Sequence, residues 1–193
     1  MIFRETFVSI IYNCKMIVPH AIHLRSAEIN DAAAIAAIYN YYVRTTTITF
    51  EEVEVDAREV ALRIADVNSK DLPWYVAVER ESIVGYAYAT PWRSRSAYRF
   101  AVEVTVYVAV GHVRNGIGTS LYTELLDTIR KLGFRTALAG IALPNEESVA
   151  LHERCGFEKV AHFNQVGFKL DRWIDVAYWQ LVWSARADHS SSA

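Results

Sequence analysis

Alternation of apolar and polar residues is clearest between Val102 and Val110, where the chain reads Val-Glu-Val-Thr-Val-Tyr-Val-Ala-Val. Successive side chains of a β-strand point to opposite faces, so this pattern predicts a strand with five valines on one face. Glu103, Thr105 and Tyr107 share the other face. A carboxylate in such a strand either faces solvent on the polar side of a sheet or belongs to a site, and alternation alone leaves both open.

The residues after this strand predict a glycine turn followed by an amphipathic helix. Gly116 begins the helix, and Gly133 is placed to end it. Apolar residues recur at helical spacing along one stripe. The stripe consists of Ile117, Leu121, Leu125, Ile129 and Leu132.

The rest of the pattern predicts strands interspersed with three further helices. Strands are predicted at Ile22–Ser26, Trp74–Glu79, Ile83–Thr90, Thr136–Leu143, Phe157–His162, Gln165–Leu170 and Asp175–Trp183. Helices are predicted from a cap at Asn30 or Asp31 to about Arg44, from Asp56 through Leu62 to Val67, and from Asn145 to about Cys155. The predicted class is α/β, with one mixed central sheet flanked by helices.

Length and composition fit a single domain. The chain has 193 residues, of which 52% are hydrophobic, and this suffices for a full core. We expect residues 1–20 to be a dispensable extension, because Met16 is an in-frame methionine just before the first convincing strand. Residues 21–184 form the expected domain, and the small polar residues 185–193 are expected to fray.

Charge and cysteine content narrow the partners and the compartment. The formal net charge is −2 with both signs interspersed, so neither a nucleic acid nor a membrane surface is expected as a partner. Cys14 and Cys155 do not make a disulfide framework, which favours the cytoplasm. No His/Cys cluster has metal-ligand spacing, so no metal is expected.

The loop from Gly111 to Thr119 has the residues of an anion site. Gly116 and Gly118 allow close approach of the backbone to a ligand, and the first N–H groups of a helix lack internal partners. A pyrophosphate fits such a place, and Arg114 could add a charged contact. From spacing alone a plain strand-to-helix turn is the better interpretation, and the incomplete glycine fingerprint disfavours a dinucleotide fold.

The segment from Asn145 to Phe157 carries a second group of candidate residues. Asn145 can cap the predicted helix, and Ser148 and His152 share a face because they are four residues apart. A nucleophilic pair of Cys155 with His152 is one interpretation. A small buried cysteine is the better one.

The turn before the valine strand, residues 91–98, contains Arg93 and Arg95 together with two aromatic residues. Two arginines could bind a carboxylate or phosphinate bidentately. Spacing alone favours an ordinary solvated turn.

The strand, glycine loop and helix, and the segment from Asn145 to Phe157, together resemble the GNAT superfamily of N-acetyltransferases. The resemblance runs from about Ile22 to Trp183. It narrows to the phosphinothricin and methionine sulfoximine acetyltransferases through a set of short motifs. These motifs are Thr105-Val106-Tyr107-Val108, Gly116-Ile117-Gly118, Leu121-Tyr122, Leu143-Pro144-Asn145, His152-Glu153, Gly167-Phe168-Lys169, Trp173-Ile174-Asp175-Val176 and Trp179-Gln180-Leu181.

The resemblance implies an acetyl-CoA fold with a splayed central sheet, and a homodimer. Glu103 matches the general base proposed for the family. The positions that match the cofactor side are Val106, Tyr107, Val108, Arg114, Asn115, Gly116, Ile117, Gly118, Thr119, Asn145, Ser148 and His152. The positions that match the amino-acid side are Phe50, Arg93, Arg95, Tyr98, Thr105 and Tyr107.

Two residues depart from the superfamily pattern. Val113 stands where the loop usually has Gln or Arg, and this should weaken phosphate binding without abolishing it, because backbone N–H groups do most of that work. His152 stands where many relatives carry a tyrosine general acid. Its role stays open between an acid and a packing or cofactor-contacting residue.

These matches predict an enzyme that moves acetyl from acetyl-CoA to the amine of an amino acid or analogue such as methionine sulfoximine, methionine sulfone or phosphinothricin. Attack is expected to be direct, in a ternary complex, with Glu103 as general base. One alternative is a different acceptor, either another small amine or a peptide N-terminus. The other is a non-catalytic acetyl-CoA-binding module. Arg93 and Arg95 argue against cationic acceptors such as polyamines and aminoglycosides.

Overall fold

The computed structural model of the protein describes residues 22–183. The expectations that residues 1–20 are a dispensable extension and that residues 185–193 fray lie outside the described residues.

A seven-stranded mixed sheet in the order β1-β2-β3-β4-β5-β7-β6 forms the centre of the molecule. Neighbouring strands are antiparallel except β4 and β5, which are parallel. The mixed sheet with flanking helices confirms the predicted α/β class. The strands are β1 His23–Ser26, β2 Trp74–Glu79, β3 Ser82–Pro91, β4 Ala101–Val108, β5 Thr136–Leu143, β6 Glu158–Lys169 and β7 Arg172–Val182.

The four α-helices begin near the residues that the sequence indicates. Asn145 accepts a hydrogen bond from the Ser148 N–H, so its predicted cap is confirmed, and Asp56, the predicted start of the second helix, caps that helix by accepting from the Glu59 N–H. Asp31 makes no such bond for the first helix, because the Arg25 guanidinium and the Glu28 N–H engage its carboxylate. The helices are α1 Ala32–Thr45, α2 Ala57–Asn68, α3 Ile117–Lys131 and α4 Glu146–Arg154, with short 3-10 turns at Ile29–Asp31 and Ser96–Tyr98.

One predicted boundary between strands is wrong. The segments Phe157–His162 and Gln165–Leu170 form the single strand β6, whose register with β7 shifts between Phe163 and Gly167. The polar residues at the shift resemble a turn in sequence, but the Asp175 carboxylate accepts the Gln165 N–H at 2.8 Å and holds the irregular backbone within the ladder.

Smaller differences concern strand length and helix stripes. β4 ends at Val108, two residues before the predicted Val110, because the backbone turns there toward Gly111. Leu62 and Leu132 were assigned to apolar helix faces but are 58% and 50% exposed. The buried stripes are therefore narrower than the pattern indicates.

Helices cover the two faces of the sheet. At Gly85 of β3 an added Cβ would lie 3.2 Å from Ile117 and 3.3 Å from Leu121, so α3 packs directly on that face. The next residue, Tyr86, points to the other face and stacks on Tyr107. Helix α1 covers this second face through aromatic contacts with Tyr107.

The sheet splays between β4 and β5. These strands pair at Ala101↔Thr136, Val102↔Ala137 and Glu103↔Leu138 and then separate, although β4 continues along β3 to Val108. The Ala109 N–H donates toward β3, so the alternate residues Val106 and Val108 direct their backbone groups into the gap.

Asn40 on α1 joins that helix to the segment that leads to α2. Its buried amide donates to the Val55 carbonyl at 2.8 Å and accepts from the Val55 N–H at 2.9 Å. We expect Asn40→Ala to lower the free energy of unfolding by about 2 kcal/mol, because two buried backbone groups lose their partners. Asn68→Ala, an exposed position on α2, is the matched control and should change stability by less than about 0.5 kcal/mol. Equal effects in chemical denaturation would contradict this role.

Candidate active site

The loop between β4 and α3 has the backbone conformation of an anion site. Gly111, Arg114 and Gly116 all have positive φ, at 90°, 65° and 79°. No atom lies within 4 Å of a Cβ added at Gly111 or Gly116, so these two glycines are required by conformation and not by space. The turn leaves the first N–H groups of the long helix α3 without intrahelical partners. A diphosphate group fits this helix terminus.

Arg114 is held by a carboxylate in this structure. Its Nε and Nη2 lie 2.9 and 2.8 Å from the Glu147 Oε1 atom at the start of α4. The arginine side chain is 81% exposed, and a solvated pair of this kind contributes only about 0–1 kcal/mol. Arg114 can therefore turn from Glu147 to a bound phosphate at little cost. Its phosphate contact stays a prediction.

His152 faces the interior between α3 and α4. Its Nδ1 lies 2.7 Å from the Ser148 carbonyl oxygen, which can only accept, so we assign the proton to Nδ1. Its Nε2, 2.8 Å from the Tyr122 hydroxyl, then accepts that O–H. Burial lowers the pKa of His152, which favours the neutral ring. Both nitrogens are engaged within the protein, and this supports the packing interpretation over the acid.

Glu103 occupies the position where β4 and β5 part. It is half-buried, opposite Thr90 on β3 and Leu138 on β5. Burial raises the pKa of its carboxyl group, and the positive charge of Arg93 opposes that rise. A carboxylate with a raised pKa holds a proton more readily than a surface glutamate, which suits a proton acceptor.

Thr105 and Tyr107 share the face of Glu103, as the alternation predicts. In the register of β4 with β3, Glu103 lies opposite Thr90, Thr105 opposite Tyr88 and Tyr107 opposite Tyr86. The Tyr107 ring lies 5.2 Å from Tyr39, 5.1 Å from Tyr42 and 5.5 Å from Tyr86 between centroids. Thr105 and Tyr107 therefore lie among the tyrosine side chains on this face of the sheet.

Aromatic residues line the space beside Glu103, and some of them are not among the residues predicted from the sequence. Tyr178 on β7 lies close enough for the Glu103 charge to contribute to the raised pKa of its phenol, although burial is the main cause. Its ring contacts Trp92 at 5.3 Å and Phe163 at 6.0 Å between centroids. Gly140 gives the one signal in the sequence, since a glycine inside a strand often marks close approach, and here a Cβ would meet the Tyr178 ring at 3.1 Å.

The predicted acceptor residues are only partly brought together. Arg93 lies over the Trp92 ring, 4.6 Å from its centroid, and acts electrostatically on Glu103. Arg95 and Tyr98 are exposed in the connection between β3 and β4. Phe50 is 42% exposed and covers Gly167 on β6, at the far side of the gap.

Within residues 22–183, no group of three or more His, Cys, Asp or Glu side chains is arranged to hold a metal ion. No helix in the described part of the chain is long and apolar enough to cross a membrane.

Known proteins resemble this chain over most of its length. An acetyltransferase (GNAT) domain model matches residues 24–178. The phosphinothricin N-acetyltransferase of Streptomyces viridochromogenes is 38% identical over 159 residues, which cover 82% of this chain and 86% of that protein. The L-methionine sulfoximine/L-methionine sulfone acetyltransferase of Salmonella typhimurium is 36% identical over 161 residues, covering 82% of this chain and 92% of that protein. A crystal structure of a phosphinothricin acetyltransferase from Sinorhizobium meliloti in complex with acetyl-CoA superposes with a TM-score of 0.81 at 37% identity, covering 83% of this chain and 88% of that one.

Burial of His152 predicts a loss of stability in mild acid. Its lowered pKa means that the unfolded chain binds a proton at a higher pH than the folded protein does, so stability falls as the pH drops below about 6.5. We expect His152→Asn to be less stable at pH 8 by about 1–3 kcal/mol, because buried hydrogen bonds are lost. We also expect it to lose less stability than the wild type between pH 8 and pH 5.

Urea denaturation at both pH values measures this difference. His23→Asn, at an exposed histidine on β1, is the control for the loss of an imidazole outside the interior. A His152 variant whose stability falls with pH in parallel with the wild type would show that this ring is not held neutral.

Proposed function

The chain belongs to the GNAT family of acetyltransferases and is an acetyl-CoA-dependent N-acetyltransferase, and from this premise we propose that its acceptor is an amino acid or amino-acid analogue. The proposed acceptors are of the methionine sulfoximine, methionine sulfone and phosphinothricin type. Relatives named for these compounds support this class. The proposed route is direct attack of the amine within a ternary complex.

The single observation that carries the mechanism is the half-buried Glu103 at the point where β4 and β5 part. A substrate amine arrives largely as ammonium at neutral pH and must lose a proton before it can attack. Glu103 accepts that proton directly or through one water molecule. Its pKa is raised by burial, so the proton transfer is less unfavourable than to a surface carboxylate.

The chain's own residues fit acetyl-CoA along the gap. Acetyl-CoA supplies the acetyl group as a thioester. The N–H groups of Ile117, Gly118 and Thr119 at the start of α3 would bind its diphosphate. The backbone groups that Val106 directs into the gap, and the Val108 N–H, would pair with amides of the pantetheine arm. The Val108 carbonyl accepts a hydrogen bond from the Tyr42 hydroxyl. An N–H in this stretch would also donate to the carbonyl oxygen under attack.

The thiolate that leaves needs little or no acid, because thiols have low pKa values. That chemistry agrees with the internal hydrogen bonds of His152, whose ring nitrogens are occupied by Ser148 and Tyr122. We therefore propose no catalytic proton transfer for His152. Asn145 and Ser148, on the first turn of α4, stay proposed contacts of the cofactor.

The acceptor side combines positive charge with aromatic surface. Arg93 is close enough to act on Glu103, and Arg95 follows two residues later in the same connection. Their guanidinium groups suit a carboxylate or phosphinate group. Trp92 and Tyr178 supply apolar walls beside them. This combination favours an anionic amino acid over a polyamine.

We also propose that the enzyme is a homodimer in the cytoplasm, where acetyl-CoA is made and thiols such as that of Cys155 stay reduced. The edge strand β6 and its turn into β7 expose a set of large apolar side chains. We propose that a second copy of the chain packs against these side chains. The set consists of Val160, Phe163, Val166, Phe168, Leu170 and Trp173, each about half exposed or more.

The first test replaces the base. Glu103→Gln keeps the shape of the side chain but cannot accept the proton, so kcat should fall by roughly 10²-fold or more. Release of the free CoA thiol, followed with methionine sulfoximine, methionine sulfone, phosphinothricin and ordinary amino acids, measures the rate. Glu124→Gln on the exposed face of α3 is the control and should retain wild-type turnover.

Wild-type turnover by Glu103→Gln at every pH would remove Glu103 from this role. A wild-type protein that binds acetyl-CoA but acetylates no amine in a wider panel would indicate a binding module. Acetylation of peptide N-termini or other amines in place of the amino acids would indicate a different acceptor class.

The second test concerns the proposed carboxylate contact. Arg95→Ala should raise KM for the acceptor by about tenfold, the scale of one charged hydrogen bond, and leave KM for acetyl-CoA nearly unchanged. Arg99→Ala in the same connection removes a guanidinium that lies over Phe100, and it should change neither constant appreciably. Equal increases of both KM values in Arg95→Ala would contradict an acceptor contact.

A further inference from the structure

The segment between α1 and α2, residues 46–56, spans the two halves of the splayed sheet. On the β4 side, the Thr49 hydroxyl lies 2.6 Å from the Tyr39 hydroxyl, and the Tyr39 ring packs edge-on against Tyr107 of β4 at 5.2 Å between centroids. On the β6 side, the Thr49 carbonyl oxygen accepts a hydrogen bond from the Lys169 Nζ at 2.8 Å. This bond joins residues 120 positions apart in the chain. Thr49 therefore connects strands that do not pair with each other.

Phe50, the next residue, packs against Gly167 on β6 with the outer end of its ring. A Cβ added at Gly167 would lie 2.3 Å from two carbons of the Phe50 ring. The φ of Gly167 lies outside the left-handed region, so the backbone does not require glycine there. Space for the ring is the requirement. Phe50 is still 42% exposed, so part of the ring remains available to a ligand.

Lys169 is buried to 2% exposure, which is rare for a lysine. Burial lowers the pKa of its ammonium group, and the carboxylates of Glu51 and Glu52 act in the opposite direction. A lysine in this position costs desolvation free energy that a methionine or leucine would not. Its hydrogen bond to the Thr49 carbonyl is the specific interaction that a hydrophobic residue could not replace.

We propose that Gly167 and Lys169 are positioning residues that fix Phe50 beside the acceptor and thereby determine which acceptor side chains fit. We call the two residues the β6 clasp. They act through Phe50 and Thr49 and touch neither the thioester nor the amine. The fixed ring offers an apolar surface that suits acceptors with a short methyl-bearing side-chain end. The inference rests on the proposed function, since Phe50 is one of the positions that match the amino-acid side of the related acetyltransferases.

The clasp makes a prediction about coupling between residues. Gly167→Ala would push the Phe50 ring aside, so KM for the acceptor should rise by about tenfold while KM for acetyl-CoA stays within about twofold. In a Phe50→Ala background the added methyl group has no ring to displace. There Gly167→Ala should change the acceptor KM by less than about twofold.

Lys169→Met tests the other half of the clasp without adding volume. It removes the donor to Thr49, and we expect the acceptor KM to rise by about five- to tenfold with acetyl-CoA binding unaffected. Lys131→Met, an exposed lysine at the end of α3, is the matched control and should leave both KM values unchanged.

The test of the clasp is a comparison of four proteins, namely the wild type, Phe50→Ala, Gly167→Ala and the double variant. Their steady-state kinetics are measured with each acceptor that the wild type acetylates. Loss of the Gly167→Ala effect in the Phe50→Ala background supports the clasp. Additive effects in the cycle, or equal increases of both KM values in Lys169→Met, would overturn it. Such increases are what a general loss of structure would produce.

Denaturation of the same four variants, without substrate, separates this inference from the proposed function. If the wild type acetylated no amino acid, the proposed function would fail, and the clasp as an acceptor device would fail with it. If the two substitutions were then still coupled in the free energy of unfolding, the Phe50–Gly167 contact would be a packing contact without a role in acceptor binding. If the wild type acetylated amino acids and the kinetic cycle were additive, the clasp alone would fail.

Discussion

The separation of β4 from β5 after only three paired positions is the constraint on which the site depends. Backbone N–H and C=O groups need partners, and a strand that leaves its neighbour presents a row of them to whatever enters the gap. β3 holds β4 straight on one side as far as Val108, so the open side keeps strand geometry. Helix α3 then begins close to the end of β4 and directs its first N–H groups outward. A cofactor with amides along its length and a diphosphate at one end matches that order of groups.

Glu103 stands at the point where the strands part, and its environment involves opposing effects. Burial disfavours the charged carboxylate, while the positive charge of Arg93 favours it. The balance raises the pKa of Glu103. A raised pKa suits the proposed base and costs stability at neutral pH, because burial penalises the charged form. Lys169 is a second case in which burial of a charged group costs stability. Its buried ammonium group donates to the Thr49 carbonyl and so holds the segment that carries Phe50.

Local patterns predicted the parts of the site that lie close together in the chain. The alternation of apolar and polar residues predicted that Glu103, Thr105 and Tyr107 share a face of β4, and the glycines predicted the turn before α3. Both features depend on backbone geometry within a few residues. Tyr178 and the contact of Phe50 with Gly167 were not predictable in this way, since they depend on the register of strands distant in sequence. The continuous strand β6 was missed because the Asp175 carboxylate, ten residues from Gln165, holds a backbone that resembles a turn locally. Burial of Lys169 has no local signal at all.

The pH dependence of kcat/KM for the wild type and for Arg93→Ala tests most directly the claim that a half-buried Glu103 is the base. Deprotonated Glu103 is the active form, so kcat/KM should fall in acid with an apparent pKa above that of an ordinary glutamate. Removal of the Arg93 charge should move this acidic limb to higher pH, because the charge lowers the pKa of the carboxyl group. The absolute value of kcat/KM is expected to change as well, but the position of the limb is the decisive quantity. An acidic limb at or below the ordinary glutamate pKa, or one that Arg93→Ala leaves in place, would contradict the account.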